Sequence, residues 1–513
     1  MSSKTPTNVR VRIAPSPTGF VHVGNLRTIL YNYLFARHND GTFIVRIEDT
    51  DRTRYVDGAL EDLLKTLEWA DFSYDEGPFI VDGKIIQKGD YGPYIQSERL
   101  DIYTKHIQTL LDKNKAYYCF CSKERINELR EQQKKDKLPP KYDGLCRHLS
   151  KEEIHKKLTY NESRVIRFKM PEDKEVVFDD EIRGTIKVNT KDLDDFVLIK
   201  ADQFPTYHFA NIVDDHLMKI THVMRGDEWI SSTPKHVMLY DAFDWQPPRF
   251  AHLPQILNQS KKKMSKRDGD VSVKDFIKSG YIKNALINFI ALLGWNAGTE
   301  QEIYTVDEMI KQFSLDNVHK KGAIFDLEKL DWINGMYLRE LSDENFATEC
   351  LPFLIEAKLI SPKSENQYIN NLTNKEISFN DIKNYCSLEK NRIKKTNEIS
   401  DAIQFVFPSK LNFDSQTLIF KKSDHKTTLQ ALQYILETIH SVPNEDFSAE
   451  NIEKEIKKII EDNNLQNGDV LWPMRVALSG QEKSPGPFEI AHVLGKDRTT
   501  QRLKEAILEL SKK

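Results

Sequence analysis

Two short stretches of this 513-residue chain combine residue types that could hold a polyphosphate. In the first, alternating apolar residues over 9–13 predict a strand, a turn with two prolines follows, and helical spacing begins at Asn25. His22 and Gly24 lie at this junction, where the unpaired backbone N–H groups at a helix start favour an anion. The plain alternative is an ordinary first strand and helix of an α/β domain with a surface histidine.

The second stretch is a basic loop over 258–270. Five cations fall within seven residues between Lys261 and Arg267. Ammonium groups on such a loop could stabilise charge that develops on a polyphosphate during a reaction. From charge alone, a solvated loop or a general nucleic-acid contact is the alternative. The sequence contains neither a P-loop nor a GxGxxG fingerprint.

Charged residues also follow two predicted strands. Glu48 follows the apolar run over 43–47, and Arg225 ends the run over 220–225. Ligands bind at the carboxyl ends of strands in an open parallel sheet, so Glu48 could meet an ammonium or a ribose there. A guanidinium at Arg225 could fork onto a carboxylate. For Glu48, the alternative is an acidic turn that caps the next helix. For Arg225, it is a structural ion pair with Asp227 or Asp214.

Three cysteines and a histidine form two ligand-x-ligand pairs, which are Cys119 with Cys121 and Cys146 with His148. In extended strands, residues i and i+2 face the same side, so two such ribbons could offer three thiolates and an imidazole to one zinc ion. The alternative is buried reduced cysteines and a surface histidine.

Composition limits the class of protein. Hydrophobic residues make up 39%, charged residues 30%, and the net charge is −4, so any nucleic-acid surface must be a local patch. Five cysteines do not make a disulfide scaffold. We see no apolar N-terminal segment and no run of about 18 apolar residues, and we expect a cytoplasmic protein without a membrane span.

The periodicities predict an α/β protein with a β-rich insertion over 164–200 and a helical region beyond residue 270. A long Lys/Glu-rich helix is expected over about 449–463.

With these features in place, the chain resembles the bacterial-type glutamyl-tRNA synthetases of class I. The residues that carry the resemblance are Ala14-Pro-Ser-Pro-Thr-Gly-Phe-Val-His22-Val-Gly24-Asn25 and Lys263-Met-Ser-Lys266-Arg267. They are similar to the two class I ATP motifs, His-Ile-Gly-His and Lys-Met-Ser-Lys-Ser. Asn25 replaces the second histidine of the first motif, so no role of that histidine is carried over.

The resemblance implies a doubly wound, Rossmann-like catalytic domain with an α+β insertion, followed by an all-α anticodon-binding region. The expected parts are the first half of the catalytic domain (1–98), a connective insertion that binds the acceptor end and holds the possible zinc (99–206), the second half of the catalytic domain (207–257), the Lys-Met-Ser-Lys loop with a stem-contact region (258–340), and the helical anticodon domain (341–513).

The resemblance also implies activation of L-glutamate by ATP–Mg²⁺ and transfer of the glutamyl group to the terminal adenosine of tRNA(Glu). The residues expected at ATP are Thr18, Gly19, His22, Gly24, Glu228, Lys263 and Lys266, of which His22 and Lys266 are the catalytic pair. Those expected at glutamate are Arg12, Ala14, Ser16, Glu48, Tyr207, Asn211 and Arg225. Structural Zn²⁺ is expected at Cys119, Cys121, Cys146 and His148, an anticodon contact at Arg392, and a monomer overall.

Three other functions compete with this interpretation. A glutaminyl-tRNA synthetase usually has Glu-Pro-Asn-Gly before its first motif and a β-barrel anticodon domain, both absent from this pattern. A nucleotidyltransferase that shares the ATP motifs would not need the helical region. A non-catalytic tRNA-binding paralogue is disfavoured by intact His22, Lys266, Arg12 and Arg225. Whether tRNA(Gln) is also charged stays open.

Overall fold

A computed structural model describes residues 8–264, 272–412 and 414–512 of the chain. The chain separates into two compact units. We call Met1–Asp275 with Ile287–Asp326 the α/β unit, and Phe276–Leu286 with Leu327–Lys513 the helical unit. The finer five-part division stays a prediction. No helix in the described ranges is both long and apolar enough to cross a bilayer.

The α/β unit alternates strands and helices. Its strands are β1 Arg10–Ile13, β2 Thr42–Val45, β3 Gly77–Val81, β4 Lys84–Lys88, β5 Ala116–Cys119, β6 Val165–Phe168, β7 Glu175–Asp180, β8 Gly184–Asn189, β9 Val197–Ile199, β10 His222–Gly226, β11 Arg249–Leu253, β12 Ile256–Leu257 and β13 Ala323–Ile324. Its helices are α1 Val23–His38, α2 Ala59–Trp69, α3 Leu100–Asp112, α4 Lys123–Lys135, α5 Lys151–Thr159, α6 Tyr207–Leu217, α7 Thr233–Phe243 and α10 Val306–Gln312. Helices α8 (Val273–Lys278) and α9 (Lys283–Ala291) each contain a boundary between the units.

Parallel pairing forms the centre of this unit. β1 pairs with β2 in parallel, and β10 pairs with β11 in parallel. The two pairs lie side by side, because the backbone N–H of Thr221 donates to the Arg10 carbonyl at 2.9 Å. This arrangement, with helices between the strands, confirms the predicted doubly wound α/β core. It also brings the carboxyl ends of β1, β2 and β10 to one edge, where ligands bind in such folds.

The predicted β-rich insertion is present. β5, β6 and β9 form an antiparallel sheet, and β7 pairs with β8 as a hairpin. β7 also touches the central sheet, since Asp180 at its end pairs in parallel with Phe250 of β11. The insertion therefore places the last residue of β7 next to the central parallel strands.

The helical unit is built mainly of helices, as predicted. They are α11 Leu327–Glu340, α12 Asp343–Glu356, α13 Phe379–Ser387, α14 Ile399–Ala402, α15 His425–Ser441, α16 Ala449–Asp462, α17 Asn467–Ser479 and α18 Pro487–Ser511. Helix α16 shows why the long-helix prediction was right: Ile452, Ile456 and Ile460 recur every four residues and are all buried.

One part of the all-α prediction was incomplete. β14 (Ile360–Ser364), β15 (Gln367–Asn370) and β16 (Lys375–Ser378) form a three-stranded antiparallel sheet between α12 and α13. These strands are short, and most of their residues are polar and at least partly exposed. Their apolar alternation is therefore too brief to stand out from a polar loop.

Candidate active site

The first functional segment folds as the sequence predicts. Helix α1 begins after His22, whose Nδ1 accepts hydrogen bonds from the backbone N–H groups of Gly24 (3.1 Å) and Asn25 (3.3 Å). A Cβ at position 24 would lie 3.0 Å from the His22 ring. Glycine here therefore makes room for the histidine ring as an N-cap.

A single large cavity of about 1290 Å³ opens at the carboxyl edge of the central strands. Every described residue expected at ATP or glutamate lines it. From the ATP set these are Thr18, Gly19, His22, Gly24, Glu228 and Lys263; from the glutamate set they are Arg12, Ala14, Ser16, Glu48, Tyr207, Asn211 and Arg225.

The predicted catalytic Lys266 lies in the segment 265–271, outside the described residues. Both described flanks of that segment adjoin the cavity. Lys263 lines it before the segment, and Ser272 after the segment pairs with His22 through a backbone bridge. The His22 segment, which lines the cavity, therefore lies close to the chain on both sides of residues 265–271.

A buried network of three arginines and three carboxylates reaches the cavity wall through Arg12 and Glu48. Arg12 binds Asp215 through Nε (3.0 Å) and Nη2 (3.2 Å), and Arg46 binds the same carboxylate at 2.7 Å. Arg46 also donates to Glu48 at 3.0 Å, and Asn211 donates to the same Glu48 oxygen at 2.9 Å. The network continues through Arg99 and Asp214, 2.7 Å apart.

The pKa values of Glu48 and Asp215 are shifted in opposite directions, because burial raises the pKa of a carboxyl group and pairing with a cation lowers it. Burial raises the pKa of Glu48, and its bonds to Arg46 and Asn211 only partly offset that effect. Burial would also raise the pKa of Asp215, but Arg12 and Arg46 outweigh it, so the pKa of Asp215 is lowered. Asp215 is thus a fixed anion that compensates two guanidinium groups.

Arg225 has a different environment. Its donors go to Tyr207 Oη (3.0 Å), Thr233 Oγ1 (2.9 Å), His236 Nδ1 (3.3 Å) and His252 Nε2 (3.1 Å). The alternative pairs with Asp214 or Asp227 are not formed, because Asp214 binds Arg99 and Asp227 binds Arg183. The Tyr207 ring packs against Trp229 with centroids 4.3 Å apart, forming one wall of the cavity.

Comparisons with known proteins agree with this geometry. The family described as "tRNA synthetases class I (E and Q), catalytic domain" matches residues 8–332, and the "Anticodon binding domain" family matches residues 345–507. The chain is 45% identical over 498 residues to a glutamate–tRNA ligase from Clostridioides difficile (strain 630), covering 97% of this chain and 98% of that protein. It is 46% identical over 507 residues to one from Clostridium kluyveri, covering 98% of each.

A solved structure shares the fold over nearly the whole length. It is a glutamate tRNA ligase from Elizabethkingia meningosepticum in complex with its amino acid, with a TM-score of 0.86, 39% identity, and coverage of 98% of this chain and 99% of that one. The chain belongs to the glutamate–tRNA ligase family of class I synthetases.

The predicted metal site of this family member is assembled only in part. The sulfur atoms of Cys119, Cys121 and Cys146 lie within 4.8 Å of one another, with Cys121 and Cys146 at 3.6 Å. Sulfurs on a tetrahedral zinc would be about 3.8 Å apart, given a Zn–S bond of about 2.3 Å. The three thiols therefore fit zinc.

The fourth position of this cluster differs from the prediction. His148 is exposed and outside the group, because Cys146 and His148 lie on a 3₁₀ turn (Leu145–His148) and not on an extended ribbon. The Tyr142 hydroxyl instead lies 3.4 Å from both Cys119 and Cys121 sulfurs. Sequence spacing alone did not point to this tyrosine.

The predicted anticodon residue lies in the helical unit. Arg392 pairs with Glu389 at 2.9 Å and donates to the Ser484 carbonyl at 2.8 Å. Its side chain is still 47% exposed. It is therefore anchored at one side and accessible at the other.

Proposed function

We propose that this chain is a glutamate–tRNA ligase that converts L-glutamate and ATP to glutamyl-adenylate and then transfers the glutamyl group to the 3′-terminal adenosine of tRNA(Glu). One observation carries the proposal. A single cavity of the α/β unit is lined both by the His22 segment and Lys263 and by the polar residues Glu48 and Arg225. A nucleotide and an acidic amino acid can therefore be held side by side.

Adenylate formation needs positioning and charge stabilisation more than covalent help. The α-carboxylate of glutamate attacks the α-phosphate of ATP–Mg²⁺, and pyrophosphate leaves. Thr18, Gly19, His22, Gly24 and Glu228 hold the nucleotide in this proposal. Lys263 and Lys266 stabilise the charge on the phosphates as pyrophosphate departs.

The amino acid is recognised by opposite charges at its two ends. Glu48 receives the α-ammonium, and Arg225 receives the γ-carboxylate. Arg12 lines the same cavity, but Asp215 already compensates its charge, which favours Arg225 as the carboxylate receptor. Ala14, Ser16, Tyr207 and Asn211 complete the pocket. A guanidinium leaves donors unpaired against the neutral amide of glutamine, so the site rejects it by a few kcal/mol.

The tRNA is bound on local basic surfaces, since the net charge of the chain is −4. The helical unit contacts the anticodon stem-loop in this proposal, with Arg392 as one contact. We further propose that the ligase acts as a monomer in the cytoplasm, where tRNA is charged for translation.

Structural zinc completes the proposal for the insertion. Cys119, Cys121 and Cys146 supply thiolates, and the Tyr142 hydroxyl is better placed than His148 to complete the set. Zinc at this point would connect the end of β5 to the 3₁₀ turn. The two parts of the chain are distant in sequence, since Cys121 and Cys146 are 25 positions apart.

A charging assay tests the proposed activity. Purified protein is incubated with ATP, total tRNA and either radiolabelled glutamate or glutamine. Charging with glutamate alone supports the proposal, while charging with glutamine alone identifies a glutaminyl-tRNA synthetase. AMP or pyrophosphate release without tRNA charging points to a different nucleotidyltransferase. Repeating the assay with purified tRNA(Glu) and tRNA(Gln) decides which isoacceptors accept glutamate.

A further inference from the structure

The environment of Arg225 is made of neutral hydrogen-bond acceptors. Tyr207, Thr233, His236 and His252 take its donors, and among the described residues no carboxylate forms an ion pair with it. Arg225 is 6% exposed. A buried arginine is normally paired, because an uncompensated buried charge is costly. Its charge is therefore left for something that enters the cavity.

The neighbouring arginines show that this is a local exception. Arg12 and Arg46 both bind Asp215, and Arg99 binds Asp214. These three cations are balanced by Asp214, Asp215 and Glu48. The guanidinium groups of Arg12, Arg46 and Arg99 are thus each paired with a carboxylate. The guanidinium of Arg225 has no such partner among the described residues.

His252 occupies the position where a carboxylate would otherwise accept the Arg225 Nε–H. Its Nδ1 lies 2.6 Å from Asp180 Oδ2, and both side chains are fully buried. The ionised Asp180 can only accept, so His252 Nδ1 carries the proton and Nε2 is left as an acceptor for Arg225. Burial lowers the pKa of His252, and the bond to Asp180 offsets this only in part, so the ring stays neutral.

Asp180 is itself held firmly in the ionised state. Its Oδ1 accepts the backbone N–H groups of Ile182 (3.0 Å) and Arg183 (2.8 Å), and its Oδ2 accepts that of His252 (3.1 Å). Burial would raise the pKa of Asp180, but the bonds from His252 and these backbone groups outweigh it and lower the pKa. Asp180 therefore fixes the tautomer of His252 and does not touch Arg225.

We propose that His252, oriented by Asp180, is a positioning residue for amino-acid specificity: it grips Arg225 through a neutral nitrogen and so keeps the guanidinium charge available to the side-chain carboxylate of glutamate. The inference rests on the proposed function and adds two residues that the sequence analysis did not identify. A carboxylate at position 252 would hold Arg225 equally well but would cancel its charge before the substrate arrived.

Three variants distinguish the effect of the charge next to Arg225 from that of the hydrogen bond that holds it. His252→Gln retains a neutral acceptor, and His252→Glu places an anion against Arg225. Asp180→Asn keeps one oxygen for the backbone groups of Ile182 and Arg183, gives up the bond from the His252 backbone N–H, and turns its amide donor towards the His252 ring. His252 Nδ1 must then accept a hydrogen bond from the asparagine amide, so the proton of the ring moves to Nε2. The Nε2–H then faces the Nε–H of Arg225, and the two donors repel each other.

The readouts are KM for glutamate, KM for ATP, and the ratio of kcat/KM for glutamate over glutamine, in aminoacylation of tRNA(Glu). We expect His252→Gln to stay within about threefold of the parent in all three. His252→Glu and Asp180→Asn should raise the glutamate KM by roughly 10- to 100-fold, on the scale of one hydrogen bond to a charged group, and should lower the ratio. KM for ATP should stay within about twofold.

His222→Gln is the matched control. His222 is as buried as His252 is, lies on the same strand as Arg225, and makes its hydrogen bond to Thr221 away from the cavity. We expect no change in either KM.

Two results would overturn the inference. One is a glutamate KM within about twofold of the parent for folded His252→Glu and Asp180→Asn. The other is an equal rise in both KM values, which would mean general damage to the fold. If His252→Glu does not fold, the nearly isosteric Asp180→Asn decides alone. A parent protein that charges no tRNA with glutamate would instead reject the proposed function, and this inference with it.

Discussion

Replacing Asp215 by asparagine should destabilise the α/β unit by about 3–5 kcal/mol, because it leaves the buried Arg12 without its carboxylate and removes one of the carboxylate partners of Arg46. Asp215 is 1% exposed and accepts three hydrogen bonds, two from Arg12 and one from Arg46. The amide keeps one acceptor oxygen and the volume of the side chain, so the loss is electrostatic and not a cavity effect. A solvent-exposed ion pair serves for comparison, since such pairs contribute only about 0–1 kcal/mol to the free energy of unfolding.

The assay is urea or thermal unfolding of the full chain. Two compact units need not unfold in one transition, so the transition of the α/β unit is identified as the one that saturating ATP and glutamate shift. Asp244→Asn is the control: Asp244 pairs with Lys113 at 2.8 Å, its side chain is 83% exposed, and asparagine tolerates its positive φ of 62°. A loss below about 1 kcal/mol for Asp215→Asn, or one equal to the control, would refute the reasoning.

The same carboxylate predicts a pH dependence with a definite sign. The folded-state pKa of Asp215 is lowered, so its stabilising contribution is present above the unfolded pKa of about 3.9 and is lost as the pH falls through the lower folded value. The stability difference between parent and Asp215→Asn should therefore be constant from neutral pH down to about pH 5 and should shrink only below about pH 4. A difference that already closes near pH 6 would contradict this assignment.

The remaining predictions concern the reaction and the metal. Lys266→Ala should lower turnover by roughly 10²-fold or more with a smaller change in the glutamate KM, and an adenylation rate within about twofold of the parent would contradict its role. Arg225→Gln should raise the glutamate KM by roughly 10²-fold and leave the ATP KM unchanged in steady-state charging, whereas equal effects on both substrates would disprove carboxylate recognition. Metal analysis should find one zinc per chain, lost in Cys119→Ser, and Tyr142→Phe should lose zinc to a chelator faster than His148→Ala; the reverse order would restore the histidine as the ligand.

The sequence predicted the parts of the site that depend on local pattern. The strand, turn and helix around His22 formed as expected, because alternation and helical spacing are encoded within a dozen residues. The described residues expected at ATP and glutamate line one cavity, because a parallel sheet collects strand ends at one edge.

What the sequence did not predict are the partners of those residues. Arg12 lies in the strand predicted over 9–13, and it is buried against Asp215, 203 positions away. The support of Arg225 by His252 and Asp180 is equally non-local. No pattern within one segment encodes such pairs, since each half also fits a surface position.

The position of His148 outside the three-cysteine cluster has the opposite cause. Cys146 and His148 were spaced correctly for an extended ribbon, but the chain turns at that point. The 3₁₀ turn leaves His148 outside the group of three sulfurs, and the spacing of the two residues could not reveal that turn.

The position of Asp180 matters to anyone who wishes to redesign this enzyme. It ends a strand of the inserted segment, yet it sits one imidazole ring away from the arginine that faces the cavity. Exchanging the inserted segment for that of another synthetase would also replace the carboxylate that orients His252 against Arg225. Chimaeras at this boundary should therefore be built with position 180 and its histidine partner transferred together.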